Sequence, residues 1–575
     1  MSRRVHHYTV LTVLFLFVAA HPSIAQSKVS WSDQFKMHKG SSGISIVYAD
    51  NSGIYLQETH DALKTYFVVG ATVRGSATLV KLDPLTMSER YRSDFDKELK
   101  GKEFSRLFFI RDKLYLFATE YSSKDLSLNL YAVAVDKANG SLTGDWQKIY
   151  SWQKEDKSED IDFQIAPNSD SSRIILTGTY TGRAQNRYEI KMMDANLQPL
   201  GKPITITNEF DPKTFQVERF EYTSFGNAIL VGRVYQYAEG KKKKDRNLEF
   251  LNYNIRLYNP QGKMIRDIKT DIDGKFLVNS KVIQSGNELI LAAFYSDEKK
   301  RKEVDGLLVE RLDPATGNIL VSTKQELDRS KVTQVQDDGD APKKSGDEEE
   351  EHGLTGNIVF RSFYVAPDNG LVILAEKFRR EIVTTYNSMQ MMGPGNMYHN
   401  SSSTYANYHC EDIYMVKVSP GGQIDWLHDL PKNQLESVPI GGSSGNSMGP
   451  SAGFGPSYNY FVELDARPFY AGFGSIAGKS KIHIFFNDTE DNASVLQPGG
   501  RIRRTSKFAK SSCYEVDLDM LTGKYSRKPL FTNRNIPISM PRLGVALNDI
   551  LYLTGIEDRS FAKSKIIVGT IACTD

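Results

Sequence analysis

The stretch RLDPATGNIL, residues 311–320, reads as a strand that ends, a tight turn at Asp313-Pro314-Ala315-Thr316-Gly317, and a new strand starting at Asn318. The turn has a local cause. An Asp side chain caps the backbone that follows it, Pro presets φ, and Gly accepts positive φ. The same device recurs along the chain. It stands at Asp83 after ATLVKL, Asp136 after LYAVAV, Asp194 after YEIKMM and Asn259 after YNIRLY. Two more copies follow, at Ser419 after IYMVKV and Asp519 after CYEVDL. The flanking runs are rich in Val, Ile, Leu and Tyr, as strands are.

Successive copies stand 53, 58, 65 and 54 residues apart, and then 106 and 100. Ahead of the turn strands lie others: KTYFVVGAT, KLYLFATEY, RIILTGTY, NAILVGRVY, ELILAAFY, GLVILAEKF and KIHIFFND. An eighth, DILYLTGI, precedes KIIVGTIACTD at the end of the chain. Further strands lie before these (FSRLFFIR, IVFRSFYVA) and after the turns (DWQKIYSW, IDWLHDL). The unit is therefore four antiparallel strands, A to D, repeated with the turn between C and D. No stretch has sustained helical periodicity. A four-stranded unit at this period predicts an all-β chain forming a single β-propeller. Eight B–C pairs favour eight blades over seven. The last unit stops after strand C, and KVSWSDQFKMH near the start resembles a D strand. That predicts a ring closed by an N-terminal strand, which hides the sheet edges.

The copies AVDKANG, RLDPATG and LDMLTG resemble the A-x-D-x-x-T-G core of quinoprotein-type bacterial propeller repeats, and SPGGQIDW adds Gly422 and Trp426 at the matching spacing. The resemblance implies the propeller architecture. Most copies lack the tryptophan that such repeats use for docking between blades, and quinone binding does not follow from it.

Residues 1–25 read as a signal peptide: Arg3 and Arg4, an apolar run from Val10 to Ala20, and Ser23-Ile24-Ala25 before the cut. The mature chain, 26–575, is expected to be exported to the periplasm or beyond. It lacks a Cys for lipid anchoring and any apolar run long enough to span a membrane. The precursor carries 72 Lys+Arg against 70 Asp+Glu. Without Arg3 and Arg4 the charge is balanced, which argues against nucleic acid. Three cysteines are too few for a disulfide framework and read as buried thiols with at most one bridge.

Antiparallel strands put the A–B and C–D turns on one face of the disc and the B–C and D–A connections on the other. The long insertions at 335–353, 387–410, 441–460 and 489–510 all fall on the second face. Basic tips at Lys241–Lys244 and Lys299–Lys302 lie there too, and the acidic run Asp347 to Glu351 reads as a solvated insert. The two Gly/Ser/Met loops carry spaced tyrosines, the chemistry of an adaptable recognition surface. Tyr398, His399, Tyr405, Tyr408, His409, Tyr458 and Tyr460 are therefore the candidate binding residues. His399, His409 and Cys410 have no recognised metal-ligand spacing. No catalytic motif is present, so no catalytic residue, metal or cofactor is assigned. The expectation is a monomeric, exported binding or scaffold protein for a protein or glycan of the cell envelope. The alternative is a propeller enzyme, a glycan hydrolase or lyase or a quinone-dependent oxidoreductase, acting at the central channel.

Overall fold

The computed structural model describes residues 27–37, 41–66, 70–167, 172–182, 185–207, 213–223, 226–237, 248–269, 275–285, 288–297, 304–327, 357–391, 397–440, 467–498, 501–547, 549–557 and 565–573. They form eight antiparallel sheets, seven of them built on four consecutive strands in the order A-B-C-D. Blade 1 runs from Ser41 to Asp94, blade 2 from Glu103 to Gln153, blade 3 from Asp160 to Thr207 and blade 4 from Phe215 to Lys269. Blade 5 runs from Phe276 to Glu326, blade 6 from Ile358 to Leu430 and blade 7 from Phe473 to Thr532. Blade 8 takes strands A and B from Ile538–Ser539, Val545–Leu547 and Ile550–Glu557, and strand C from Lys565–Ala572. Its outer strand is N-terminal: Lys28–Trp31 pairs antiparallel with Ala572 to Gly569, and Phe35–Lys36 pairs with Ile566 and Lys565. The ring therefore closes as the sequence predicts, and the chain is an eight-bladed propeller.

All seven copies of the turn join strand C to strand D. In each, the leading side chain accepts backbone N–H groups from the turn. Asp83 takes those of Leu85 and Thr86, Asp313 that of Ala315, and Asp519 those of Leu521 and Thr522. Five copies place a glycine at positive φ. The copies of blades 1 and 3 put Met87 (φ 54°) and Leu197 (φ 63°) there instead.

The turn glycines do more than turn the chain. A Cβ on Gly523 would lie 2.8 Å from two atoms of the Trp426 indole, in strand D of blade 6, and one on Gly422 would lie 2.3 Å from the Thr323 hydroxyl in strand D of blade 5. Gly317 and Gly140 meet strand D of blades 4 and 1 in the same way. Each turn thus seats against the outer strand of the preceding blade, and Trp426 is the docking tryptophan for blade 7. Gly523→Ala adds left-handed strain (φ 70°) and a clash at once. It should cost about 2 kcal/mol, read as a lower denaturant midpoint. Leu521→Ala, at an exposed position of the same turn, should be near neutral.

One boundary differs from the sequence reading. Strand B of blade 1 is Gly53–Tyr66 and strand C is Gly70–Leu82, so KTYFVVGAT covers the end of one strand and the start of the next rather than forming strand B, and its residues 67–69 lie outside the described residues. Ile54 to Thr59 of strand B are buried.

The core lies between blades. Each apolar cluster joins the facing sides of two neighbouring sheets, as Ile290, Phe294 and Leu307 of blade 5 meet Ile373, Tyr414 and Val416 of blade 6. Cys410, Cys513 and Cys573 are all free thiols.

Candidate partner-binding face

The insertion at 387–410 is strand over its described length. Strand B of blade 6 runs from Leu371 to Met391 and strand C from Met397 to Val418, paired in register from Met391↔Met397 down to Phe378↔Cys410. The composition NSMQMM…NSSSTYANYH reads as a loop. The register set by the buried lower half lets each further residue add ladder hydrogen bonds, so the hairpin continues outward. Gln434–Ile440 then pairs with Cys410 to Thr404 as a third strand. The result is a three-stranded arm on the B–C/D–A face.

The predicted site residues are distributed unevenly on it. Tyr398 and His399 lie on the strand C backbone near the tip. Tyr405 and Tyr408 differ in parity along a regular strand, so they point to opposite faces of the arm; His409 shares the face of Tyr405. Tyr458 and Tyr460 lie outside the described residues. Among the described side chains, Tyr405 and Tyr408 therefore do not share one face. Tyr408 is buried, with the Arg380 guanidinium 5.6 Å from its ring centroid. Beside it Ile382 is 62% exposed, and Arg379 and Arg380 are exposed. Among the described residues, strand B from Arg379 outward pairs on one side only, because strand A stops at Ile358↔Lys377 and the Phe378 N–H still reaches the Asn357 carbonyl.

His409 and Cys410 are neighbours on a regular strand, so their side chains point to opposite faces. Burial and then the charge of Arg379 lower the His409 pKa, leaving a neutral ring, while burial raises the Cys410 thiol. His399 stands ten residues along the strand, roughly 30 Å away.

The base of the arm is fixed by charges that the sequence reading missed. Lys432, fully buried, donates its three ammonium protons to Glu376 Oε1 (2.8 Å), the Cys410 carbonyl (2.9 Å) and Gln434 Oε1 (2.9 Å). Arg361 Nε donates to Glu376 Oε2 at 2.8 Å. Burial alone would raise the Glu376 carboxyl, but Lys432 and Arg361 outweigh it and hold the pKa low. Glu436, on the third strand, accepts the backbone N–H groups of Phe469, Tyr470 and Ala471. Gln434 Nε2 donates to the Asn487 carbonyl in blade 7, and Asn487 Nδ2 donates to the Ser539 carbonyl in blade 8. Blades 6, 7 and 8 are thereby tied together under the arm. The 489–510 insertion is packed down as well: Asp488 accepts from Arg527, Asn492 and Thr505, and Ile502 is buried. A Glu in the apolar run LVILAEKF was the one available signal, because a charge within a buried strand needs a partner. The partners lie up to 56 residues away with no fixed spacing.

Asp412 and Asp429 form a second buried group, on strands C and D of blade 6. Burial is the main cause of the rise in both, taking Asp412 to about 6; Asp412's charge adds to the rise of Asp429, which goes well above its ordinary value. Among the described residues, neither Asp429 oxygen has a hydrogen-bond partner. Both residues are buried in the outer half of the blade, which does not suit glycan chemistry at a central channel.

No protein-family model matches the chain, and no curated protein does. Solved structures that it resembles include prolyl oligopeptidase B from Galerina marginata (13% identity, TM-score 0.27, covering 58% of this chain and 38% of that one). A thermostable family-43 glycoside hydrolase matches at 14% identity and TM-score 0.24, covering 49% of this chain and 92% of that one. The β-propeller domain of the Trilobed protease from Pyrococcus furiosus matches at 9% identity and TM-score 0.27, covering 71% and 96%. The chain spans little more than a third of the oligopeptidase. Likeness at this level carries no argument about activity.

Proposed function

We propose that the protein is an exported binding or scaffold protein of the cell envelope, and that it captures a protein partner on the B–C/D–A face with the blade 6 arm at the centre. The observation that carries this reading is the three-stranded arm on a charge-fixed base. It offers an exposed apolar side chain, flanking arginines and a strand edge free among the described residues. Such an edge suits a protein segment better than a glycan, because backbone N–H and C=O groups can extend the ladder. The ring-closing strand begins at Lys28, directly after the expected signal cleavage at residue 25, which agrees with export. Among the described residues no helix is long and apolar enough to cross a membrane.

The test removes residues 384–404 and joins Val383 to Tyr405 through Asn-Gly. These residues are paired across the arm, so the shortened hairpin keeps its register. The thermal midpoint should stay within about 2 °C of the parent, because the buried base is untouched. Envelope proteins retained by the parent on an affinity column should be lost from the shortened variant. Identical retention by both proteins would sink the proposal.

A further inference from the structure

Blade 7 turns one face toward blade 8, across the seam where the ring closes. On that face Phe485 and Cys513 pack against Leu551, Leu553, Ile571 and Val29. Two residues further along each strand the same face becomes polar: His483 on strand B, Glu515 and Asp517 on strand C, and Lys528 on strand D. His483 and Glu515 are almost completely buried. The ring nitrogen Nδ1 of His483 lies 2.9 Å from Glu515 Oε1 and 2.7 Å from Asp517 Oδ1, so one imidazole nitrogen faces two carboxylates at once. The three ligand atoms all lie within 4.8 Å of one another. Nothing in the apolar packing of the seam calls for this set. Among the described residues, His483 Nε2 is buried without a hydrogen bond.

We propose that His483, Glu515 and Asp517 bind one divalent transition-metal ion, zinc by preference, which staples the closed ring at the seam between blades 7 and 8.

Three further observations fit the site to such an ion. Lys528 takes the outer oxygens: its ammonium lies 2.8 Å from Asp517 Oδ2 and 3.4 Å from Glu515 Oε2. Oδ1, Oε1 and Nδ1 remain together on the inner side, with a cation holding the far side of the ligating carboxylates, as outer-shell partners do. Ser27, at the start of the ring-closing segment, donates its hydroxyl to Glu515 Oε1, which ties the site across the seam to the segment that closes the ring. Finally, one imidazole nitrogen and two carboxylate oxygens make a three-ligand set that suits Zn²⁺ with one position left open; Ca²⁺ and Mg²⁺ require more oxygens than the site has. Asp517 and Lys528 are partly exposed, which leaves an entry from the C–D turn face.

The test uses the untagged mature chain, stripped with a chelator and titrated with Zn²⁺ against a chromophoric competitor. One ion per chain and a rise in Tm on adding zinc are expected, since an ion bound only by the folded state stabilises it. His483→Gln should lower affinity at least 100-fold and remove the Tm rise. If that variant fails to fold, Asp517→Asn serves the same purpose at the more exposed ligand. Co²⁺ should give intense tetrahedral bands, which His483→Gln should remove. No stoichiometric binding by the folded parent, or binding with no change in Tm, would overturn the site.

Discussion

Lys432→Met should destabilise the protein by about 3–5 kcal/mol, the largest effect expected of any single substitution described. The ammonium is completely buried and all three of its protons are used. Removing it leaves the Glu376 carboxylate buried with Arg361 as its one charged partner among the described residues, takes the Lys432 donor from the Cys410 carbonyl, and leaves Gln434 Oε1 with the Gly472 N–H. The cost comes mainly from the orphaned charge rather than from the loss of the pair itself. The double variant Lys432→Met, Glu376→Gln should therefore recover part of the loss, because it removes the orphaned charge together with its partner. Denaturant midpoints of the two variants measure this. A double variant no more stable than the single one would contradict the account. Lys432 also joins strand C to the third strand of the arm, so the single variant should weaken partner retention along with stability.

Asp429→Asn should stabilise the protein, and only on the alkaline side. Asp412 and Asp429 are carboxyls whose folded pKa values lie above their unfolded ones, chiefly because burial penalises the charge. Groups raised in this way hold protons more tightly in the native state. Their contribution is complete below the unfolded value near 4 and is lost as pH rises through the folded value. For Asp412, with a folded value of about 6, the contribution falls between about pH 4 and pH 7. The loss is about 3 kcal/mol at 1.36 kcal/mol per unit. Asp429, raised further, extends the fall to higher pH. Asn keeps the shape and cannot ionise. The substitution should raise Tm at pH 8.5, leave it almost unchanged at pH 5, and flatten the pH–stability profile above neutrality. Equal destabilisation at both pH values would show that the carboxyl is not the source of the slope.

These two expectations rest on residues that no local pattern announces, whereas the fold rests on residues that do. Asp313, Thr316 and Gly317 adopt their turn because of their own side chains, so seven copies could be read as a ruler without any tertiary information. The apolar strands between them, and the D-like strand at Lys28, follow from the same short-range chemistry. The stretch at 387–410 shows where this stops. Its Ser, Asn and Gly content reads as loop, and it becomes a strand because the hairpin below it is already in register. Tyr405 and Tyr408 look like neighbours in a recognition loop, but strand geometry sends them to opposite faces.

The repeat, the preference for eight blades over seven, and the closing strand were therefore legible in the sequence alone. Each depends on interactions within a few residues, or on counting them. Only the tertiary structure decided which charges meet. Glu376 finds Lys432 across 56 positions, and Ser27 finds Glu515 across 488. Buried polar groups are selected by the company they keep in three dimensions. A linear chain records that company only as an isolated charge in an apolar run, as in LVILAEKF and KIHIFFND.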